Sequence, residues 1–196
     1  MRITSFLNNE RLNLSNLFPL IQYFLPKGGV GEGHHNLDGI LTYCSGLQSG
    51  SAYDSYSQLF FNGAIEAVDS DIVRGEGGAR VAVGGIASVA YERQVIEAVG
   101  SYFRGYKELG VAPPVAISMA LLGCEGSYLH VDPRLSFRFT ARRIDRDTAI
   151  LPDVVAESLD ENVAKLMKPI FDAVWNACGY PRSLNYNDKG EWAPRR

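Results

Sequence analysis

The stretch SYSQLFFNGAIEAVD, residues 55–69, predicts a β-hairpin. Its Asn62-Gly63 dipeptide lies between two apolar runs, which is the strongest short-range hairpin signal, because both residues of a two-residue turn need a positive φ. Such a turn would pair Phe60 with Ile65 and Leu59 with Glu66. Because side chains alternate along a strand, Leu59 and Ile65 are then expected on opposite faces. We therefore expect both faces of the hairpin to be partly covered.

A long helix is predicted after the glycine-rich segment that follows the hairpin. Between residues 88 and 109, apolar side chains recur at steps of three and four, which is typical of one helix face. Gly110 supplies the expected C-terminal stop. The charged residues of this segment, Glu92 among them, are expected on the remaining face.

The last helix has the clearest boundary signals. Ser158 and Glu161 match the S-x-x-E capping box that marks a helix start. An unbroken apolar stripe then runs at helical spacing to Cys178, and Gly179 is expected to end the helix. Pro169 lies inside the segment and predicts a kink.

Other apolar stretches predict further strands. LDGILTYC (37–44) favours one strand, and VAISMALLG (115–123), apolar on both faces, is expected at the centre of a sheet. SYLHVD (127–132) is expected as its hairpin partner. RLSFRFTARRIDRDTA (134–149) suits an edge strand or a surface loop, and ILPDVVAESL (150–159) includes another short strand.

Hairpins dominate this order of elements, so the sequence predicts an α+β fold. We expect a mostly antiparallel sheet with the two long helices packed on one face. Residues 1–33 are predicted to form an N-terminal helical arm, with a helix in residues 11–25 that has Asn16 as its N-cap. Residues 34–196 are predicted to form a single α+β domain.

Composition and net charge argue against several classes of function for this chain. Hydrophobic residues make up 46% and charged residues 21% of the chain, as in ordinary globular proteins, and the net charge of −3 lacks the basic excess of a nucleic-acid-binding surface. The longest apolar run, VAISMALL, is far below the roughly 20 residues of a membrane-spanning helix. The three widely spaced cysteines include no C-x-x-C pair. We therefore expect a cytoplasmic protein with buried thiols, no membrane contact, no metal and no cofactor.

Four polar residues are the candidates for a ligand site. Glu66 lies on the predicted hairpin, and His130, Asp132 and Arg134 lie in the LHVDPR segment. Convergent polar groups beside a concave surface are what a ligand pocket needs, and the Gly75–Gly85 loop would provide its other wall. His130 and Asp132 can face the same way on a strand, but a zinc site needs a third ligand.

A basic stretch runs from Arg134 to Arg146. It holds five arginines interleaved with Phe137 and Phe139, a pattern that can contact phosphates and stack on bases. Asp132, Asp145 and Asp147 dilute its charge. A solvated charged surface is the simpler interpretation of the same pattern.

Several stretches together resemble a known family: HHNLDGILTYC, YSQLFFNGAIEAVD, VDPRLSF and LMKPIFDAVWNACGYPRSLNYNDKGEW. They are similar to the C-terminal region of bacterial proteins that begin with a Schlafen-like, AlbA-type DNA-binding domain. The match covers residues 34–192. In that family the nucleic-acid role belongs to the N-terminal domain, which residues 1–33 do not match. The resemblance therefore implies a separated C-terminal module or a fragment of a longer protein, and it assigns no functional residues to this region.

Two functions remain open at this point. The first is an accessory interaction or sensing module of a bacterial regulatory or nucleic-acid-associated protein, without chemistry of its own. It would bind a protein partner or a second copy, with nucleic acid contacted only by a separate domain or by the Arg134–Arg146 stretch, and Trp192 is expected at an exposed surface. The second is a small-ligand binder or enzyme with its site between the sheet and the Gly75–Gly85 loop.

Overall fold

The computed structural model describes residues 1–5, 11–26, 32–45, 53–70, 72–74 and 84–194. They group into two compact units. The first comprises Met1–Ser70, Glu97–Ser118 and Val155–Glu161, and the second comprises Asp71–Ile96, Met119–Val154 and Asn162–Arg196. Most of the predicted Gly75–Gly85 loop, residues 75–83, lies outside the described residues.

Strands and short helices alternate with two long helices. The strands are β1 (Arg2–Ser5), β2 (Glu32–His35), β3 (Gly39–Ser45), β4 (Tyr53–Phe60), β5 (Ile65–Asp69), β6 (Val73–Arg74), β7 (Gly85–Ala87), β8 (Val115–Ser118), β9 (Ala120–Leu122), β10 (Tyr128–His130), β11 (Thr148–Ile150) and β12 (Val154–Ala156). The helices are α1 (Leu17–Ile21), α2 (Ser88–Leu109), α3 (Pro133–Ser136) and α4 (Val163–Ala177).

A seven-stranded sheet in the order β12-β8-β1-β5-β4-β3-β2 forms the body of the first unit. The pairs β2–β3, β3–β4, β4–β5, β1–β5 and β1–β8 are all antiparallel. The predicted α+β class with a mostly antiparallel sheet is thus confirmed. The segment predicted as an N-terminal arm contributes β1, which lies between β5 and β8, and α1, which is shorter than predicted and starts after Asn16.

The hairpin of β4 and β5 forms as predicted, but its turn and register differ. Leu59 pairs with Ile65 rather than with Glu66. The Phe60 N–H donates to the Ala64 carbonyl at 2.8 Å, and Gly63 adopts a φ of +84° while no described non-glycine residue has a positive φ. A longer loop that ends in a left-handed glycine replaces the two-residue turn. Because this register places Leu59 and Ile65 on the same face, both are fully buried.

Helix α2 begins at Ser88 and ends at Leu109, as predicted. In the first unit its Tyr102 hydroxyl lies 2.8 Å from Ser57 Oγ on β4, and its ring stacks on Phe24 with centroids 6.0 Å apart. A Cβ at Gly105 would lie 2.5 Å from Phe24 Cζ, so only glycine allows this approach. The 97–109 half of α2 therefore packs tightly against the first unit.

Two predictions about strand pairing after residue 114 are wrong. The VAISMALLG stretch is not one central strand, because β8 belongs to the seven-stranded sheet while β9 pairs with β11. The SYLHVD stretch forms β10, which pairs in parallel with β7 instead of forming a hairpin with β9. The reason is that β11 occupies the place of that hairpin partner beside β9. The pairing continues past β9, where the Cys124 N–H donates to the Asp147 carbonyl and the Gly126 N–H to the Ile144 carbonyl.

Helix α4 carries the predicted apolar stripe but starts later than predicted. Its N-cap is Asn162, whose Oδ1 accepts from the Lys165 N–H at 3.0 Å. Glu161 does reach back to the Ser158 N–H at 2.9 Å, so the expected capping-box contact closes a turn ahead of the helix instead. Gly179 ends the helix with a φ of +85°, as predicted.

Two of the three cysteines are buried thiols, Cys124 and Cys178, and Cys44 is half-buried. In the described part of the chain, no helix is long and apolar enough to span a membrane.

Candidate functional site

Glu66 lies on β5 in the first unit, with its carboxylate engaged locally. Its Oε1 accepts from the Tyr56 hydroxyl at 2.8 Å. The two residues are diagonal neighbours on one face, because Tyr56 pairs with Val68 and Gln58 pairs with Glu66. Burial, followed by this contact with Glu66, raises the pKa of Tyr56 to about 12. The hairpin carboxylate thus binds a phenol on the neighbouring strand.

Asp132 and Arg134 lie in the second unit and bind each other. Asp132 is the N-cap of α3 and accepts from the Arg134 N–H at 2.9 Å. The Arg134 guanidinium donates to both carboxylate oxygens, with the Nη2–Oδ2 distance at 2.7 Å. Both charges of this pair are therefore committed to closing the first turn of a four-residue helix.

His130 ends β10 and is exposed. Its ring meets the Tyr128 ring edge-on at 4.9 Å and lies close to Gly85, where a Cβ would come within 1.9 Å of His130 Nε2. Gly85 thus permits the close approach of the His130 ring to β7. The structure brings Asp132 and Arg134 together, leaves His130 on Tyr128 and Gly85, and places Glu66 in the other unit. The ligand site proposed from these four residues stays a prediction.

Within the described ranges, no group of three or more His, Cys, Asp or Glu side chains is arranged to hold a metal. A depression of about 280 Å³ lies in the first unit, lined by residues that include Asn13, Pro19 and Glu108. It is separate from the residues predicted to form a pocket. Its lining holds no titratable group besides Glu108 and Tyr23.

The second unit presents an apolar face to solvent on the β9–β11 sheet. Leu121 pairs with Ala149 on the buried side, with exposed fractions of 6% and 7%. Leu122 and Ile150 point the other way and are 74% and 85% exposed. We call the outward side the β9–β11 face; it consists of Ala120, Leu122, Thr148 and Ile150.

The strongest polar cluster of the second unit surrounds Glu92, a residue expected on the polar face of α2. That expectation is wrong, because Glu92 has no exposed surface. Its Oε1 accepts from Trp175 Nε1 at 2.8 Å and from Ser183 Oγ at 2.7 Å. Its Oε2 accepts from Asn185 Nδ2 at 3.0 Å and from Trp192 Nε1 at 2.8 Å. We call these five residues the Glu92 cluster.

Burial raises the pKa of Glu92 above its ordinary value, and the four hydrogen bonds oppose that shift without cancelling it. The donors are two indoles, a hydroxyl and an amide, so no cation compensates the buried carboxylate. Since both oxygens are saturated and shielded from water, the carboxylate can hold distant segments together but cannot reach a substrate. The Glu92 cluster is therefore a structural anchor.

The Glu92 cluster also corrects the expectation that Trp192 is exposed. Trp192 is half-buried, with its indole N–H on Glu92. The sequence did carry a signal: Glu92 follows Tyr91 and precedes Val95 by three positions, inside the arc of buried residues on α2. Trp175, Ser183 and Asn185 all come from the FDAVWNACGYPRSLNY block, whose donors need an acceptor when buried.

Comparison of the chain with protein-family models, with curated proteins and with solved structures finds no match. The resemblance to the C-terminal region of Schlafen-like, AlbA-type proteins therefore stays a prediction from the sequence.

Proposed function

We propose that the chain is an interaction module of a cytoplasmic protein and that it self-associates through the β9–β11 face. The observation that carries this proposal is the exposure of Leu122 and Ile150. Ile150 pairs with Ala120 and Thr148 with Leu122, which makes Leu122 and Ile150 diagonal neighbours in one continuous apolar patch. Contiguous exposed apolar side chains mark interaction surfaces, whereas single exposed apolar residues are ordinary.

A second copy fits this face because none of its four residues is charged. When a surface packs against itself across a two-fold axis, each residue meets the same surface of the partner. A charged face would then place like charges opposite each other, whereas the β9–β11 face would bury only methyl groups and one hydroxyl. Removing Leu122 and Ile150 from water supplies the favourable free energy.

The area of the β9–β11 face determines how strongly we expect two copies to associate. Stable interfaces bury about 800 Å² on each partner, which is more than four side chains on two three-residue strands provide. We therefore expect weak association, with a dissociation constant above about 1 µM.

The test is the molar mass of the full chain, measured by light scattering after size exclusion across a wide concentration range. We expect the mass to rise towards that of a dimer, and Ile150→Lys to keep the chain monomeric. Leu37→Lys is the matched control, because Leu37 is an equally exposed apolar residue, at 92%, in a turn of the first unit. A wild-type chain that stays monomeric at every concentration would refute the proposal.

A further inference from the structure

The second unit carries a closed loop that begins with β10 and ends before β11, and the β9–β11 face does not use it. Its two ends are joined, because the Gly126 N–H donates to the Ile144 carbonyl and the Ile144 N–H to the Ser127 carbonyl, both at 2.8 Å. Residues 137–143 are exposed without interruption. We call residues 128–143 the arginine loop. Compact loops with joined ends often carry function.

The arginine loop has a positive net charge, whereas the whole chain has a negative one. It contains four arginines and a single acidic residue, Asp132, while the whole chain has a net charge of −3. Asp132 is bound to Arg134. Within the part of the chain that the structure describes, Arg138, Arg142 and Arg143 form no ion pair. Arg143 donates one N–H to the Gly126 carbonyl at 2.7 Å, so its remaining N–H groups and the guanidinium groups of Arg138 and Arg142 are available to an anion.

The same loop presents aromatic rings beside these cations. Phe137 is 72% exposed and Phe139 is 36% exposed. The Arg138 guanidinium lies 5.2 Å from the centre of the Phe137 ring, and that of Arg143 lies 5.0 Å from the Tyr128 ring. An exposed phenylalanine has no polar group for water to bind, so its ring gains most by stacking on another flat surface.

We propose that the arginine loop binds single-stranded nucleic acid, with Arg138, Arg142 and Arg143 on phosphates and a base stacked on Phe137. Arginine suits phosphate because its planar fork donates two parallel hydrogen bonds. Alternating cations and aromatic rings match the alternating phosphates and bases of an unpaired strand. A duplex would need an element that enters a groove, and α3 has only four residues. An acidic peptide would use the arginines but leave Phe137 without a flat partner.

The experiment measures binding of a fluorescein-labelled 15-nucleotide oligo-dT to the full chain by fluorescence anisotropy. Three neutralised phosphates give a slope of about −2 for the logarithm of affinity against that of salt, so affinity falls about 20-fold between 50 and 200 mM KCl. Arg138→Ala, Arg142→Ala and Arg143→Ala combined should flatten this slope. Phe137→Ala should weaken binding roughly 5- to 150-fold at an unchanged slope.

The charge-matched control combines Arg93→Ala, Arg104→Ala and Arg182→Ala, three exposed arginines outside the loop. It should bind like the wild type, and circular dichroism melting confirms that each variant is folded. The proposal is overturned if the oligonucleotide does not bind at 50 mM KCl, or if both triple variants bind alike. A duplex that binds as tightly, or an unchanged affinity of Phe137→Ala, would show a general polyanion surface and overturn the single-strand assignment.

Discussion

Glu66 and Glu92 are the same side chain in two contrasting environments. Glu66 is half-buried on a strand and accepts a hydrogen bond from Tyr56, which lies two positions from its paired residue Gln58 on the neighbouring strand. Glu92 is fully buried on a helix and accepts four hydrogen bonds, from residues 83 to 100 positions away. The register of the sheet determines the neighbours of Glu66. The hydrogen-bond donors to Glu92 instead come from segments that are distant in sequence.

This contrast explains why local sequence patterns single out Glu66 and place Glu92 on the polar face of α2, a placement that the burial of Glu92 corrects. A carboxylate on a short hairpin is easily proposed as a site residue, because the turn predicts which side chains lie next to it. A carboxylate on a long helix is assigned to the solvent side by default, since isolated burial of a charge is costly. The cost is offset here by donors that have no sequence proximity to Glu92.

The largest expected effect is that of Glu92→Gln on the free energy of unfolding. The amide NH₂ would replace one acceptor oxygen and face two donors, leaving them unsatisfied in the interior. At about 1–3 kcal/mol for each of the two unsatisfied groups, we expect a loss of roughly 2–6 kcal/mol. Urea denaturation followed by tryptophan fluorescence measures it.

Glu66→Gln is the matched control for that measurement. Its amide keeps an oxygen for the Tyr56 hydroxyl on a half-exposed surface, so we expect a loss below about 1 kcal/mol. If the two substitutions destabilise the chain equally, the anchoring role of Glu92 is wrong.

The next prediction compares how much each of the two indoles that bind Glu92 contributes to the free energy of unfolding. Trp175→Phe removes a donor and leaves a cavity at a fully buried position, so we expect a loss of about 2–3 kcal/mol. Trp192→Phe removes a donor from a half-buried ring and should cost about 1 kcal/mol. The same urea experiment ranks them. A larger loss for Trp192→Phe than for Trp175→Phe would contradict this ranking of the two donors.

The smallest effect is the pH dependence of the Glu92 contribution. Burial raises the pKa of Glu92 from its ordinary 4.5, so the folded chain binds this proton more tightly than the unfolded chain. Stability from this group is therefore fully present below pH 4.5 and falls as the pH rises through the folded pKa. The slope for one proton is at most about 1.4 kcal/mol per pH unit.

The measurement compares the free energy of unfolding of the wild type and Glu92→Gln at several pH values. We expect the advantage of the wild type to shrink as the pH rises. An advantage that grows with pH would show that the four hydrogen bonds outweigh burial.

The sequence predicted the elements better than their connections. The bounds of α2 and the apolar stripe of α4 followed from helical spacing and glycine stops, which are local properties. The turn at Gly63 was wrong because Asn-Gly suits two loop lengths, and only burial of Leu59 against Ile65 selects one. The parallel pairing of β10 with β7 depends on residues far apart in sequence, and no local pattern contains it.

For the arginine loop and the β9–β11 face, too, the sequence predicted local composition but not the exposure of individual side chains. The basic and aromatic composition of the 134–146 stretch was visible in the sequence, but the exposure of Phe137 was not. The β9–β11 face was missed because VAISMALLG is apolar throughout, and such a run does not show which residues leave the first sheet.

The long sequence separation within the Glu92 cluster has a consequence for biosynthesis. Trp192 is 100 residues beyond Glu92, so at about 5–20 residues per second a ribosome needs about 5–20 s to make the last donor. During that interval the nascent carboxylate keeps its hydration, and the region around it has to remain open. The segment that carries Trp192 must therefore be synthesised before the second unit can close around its buried acid.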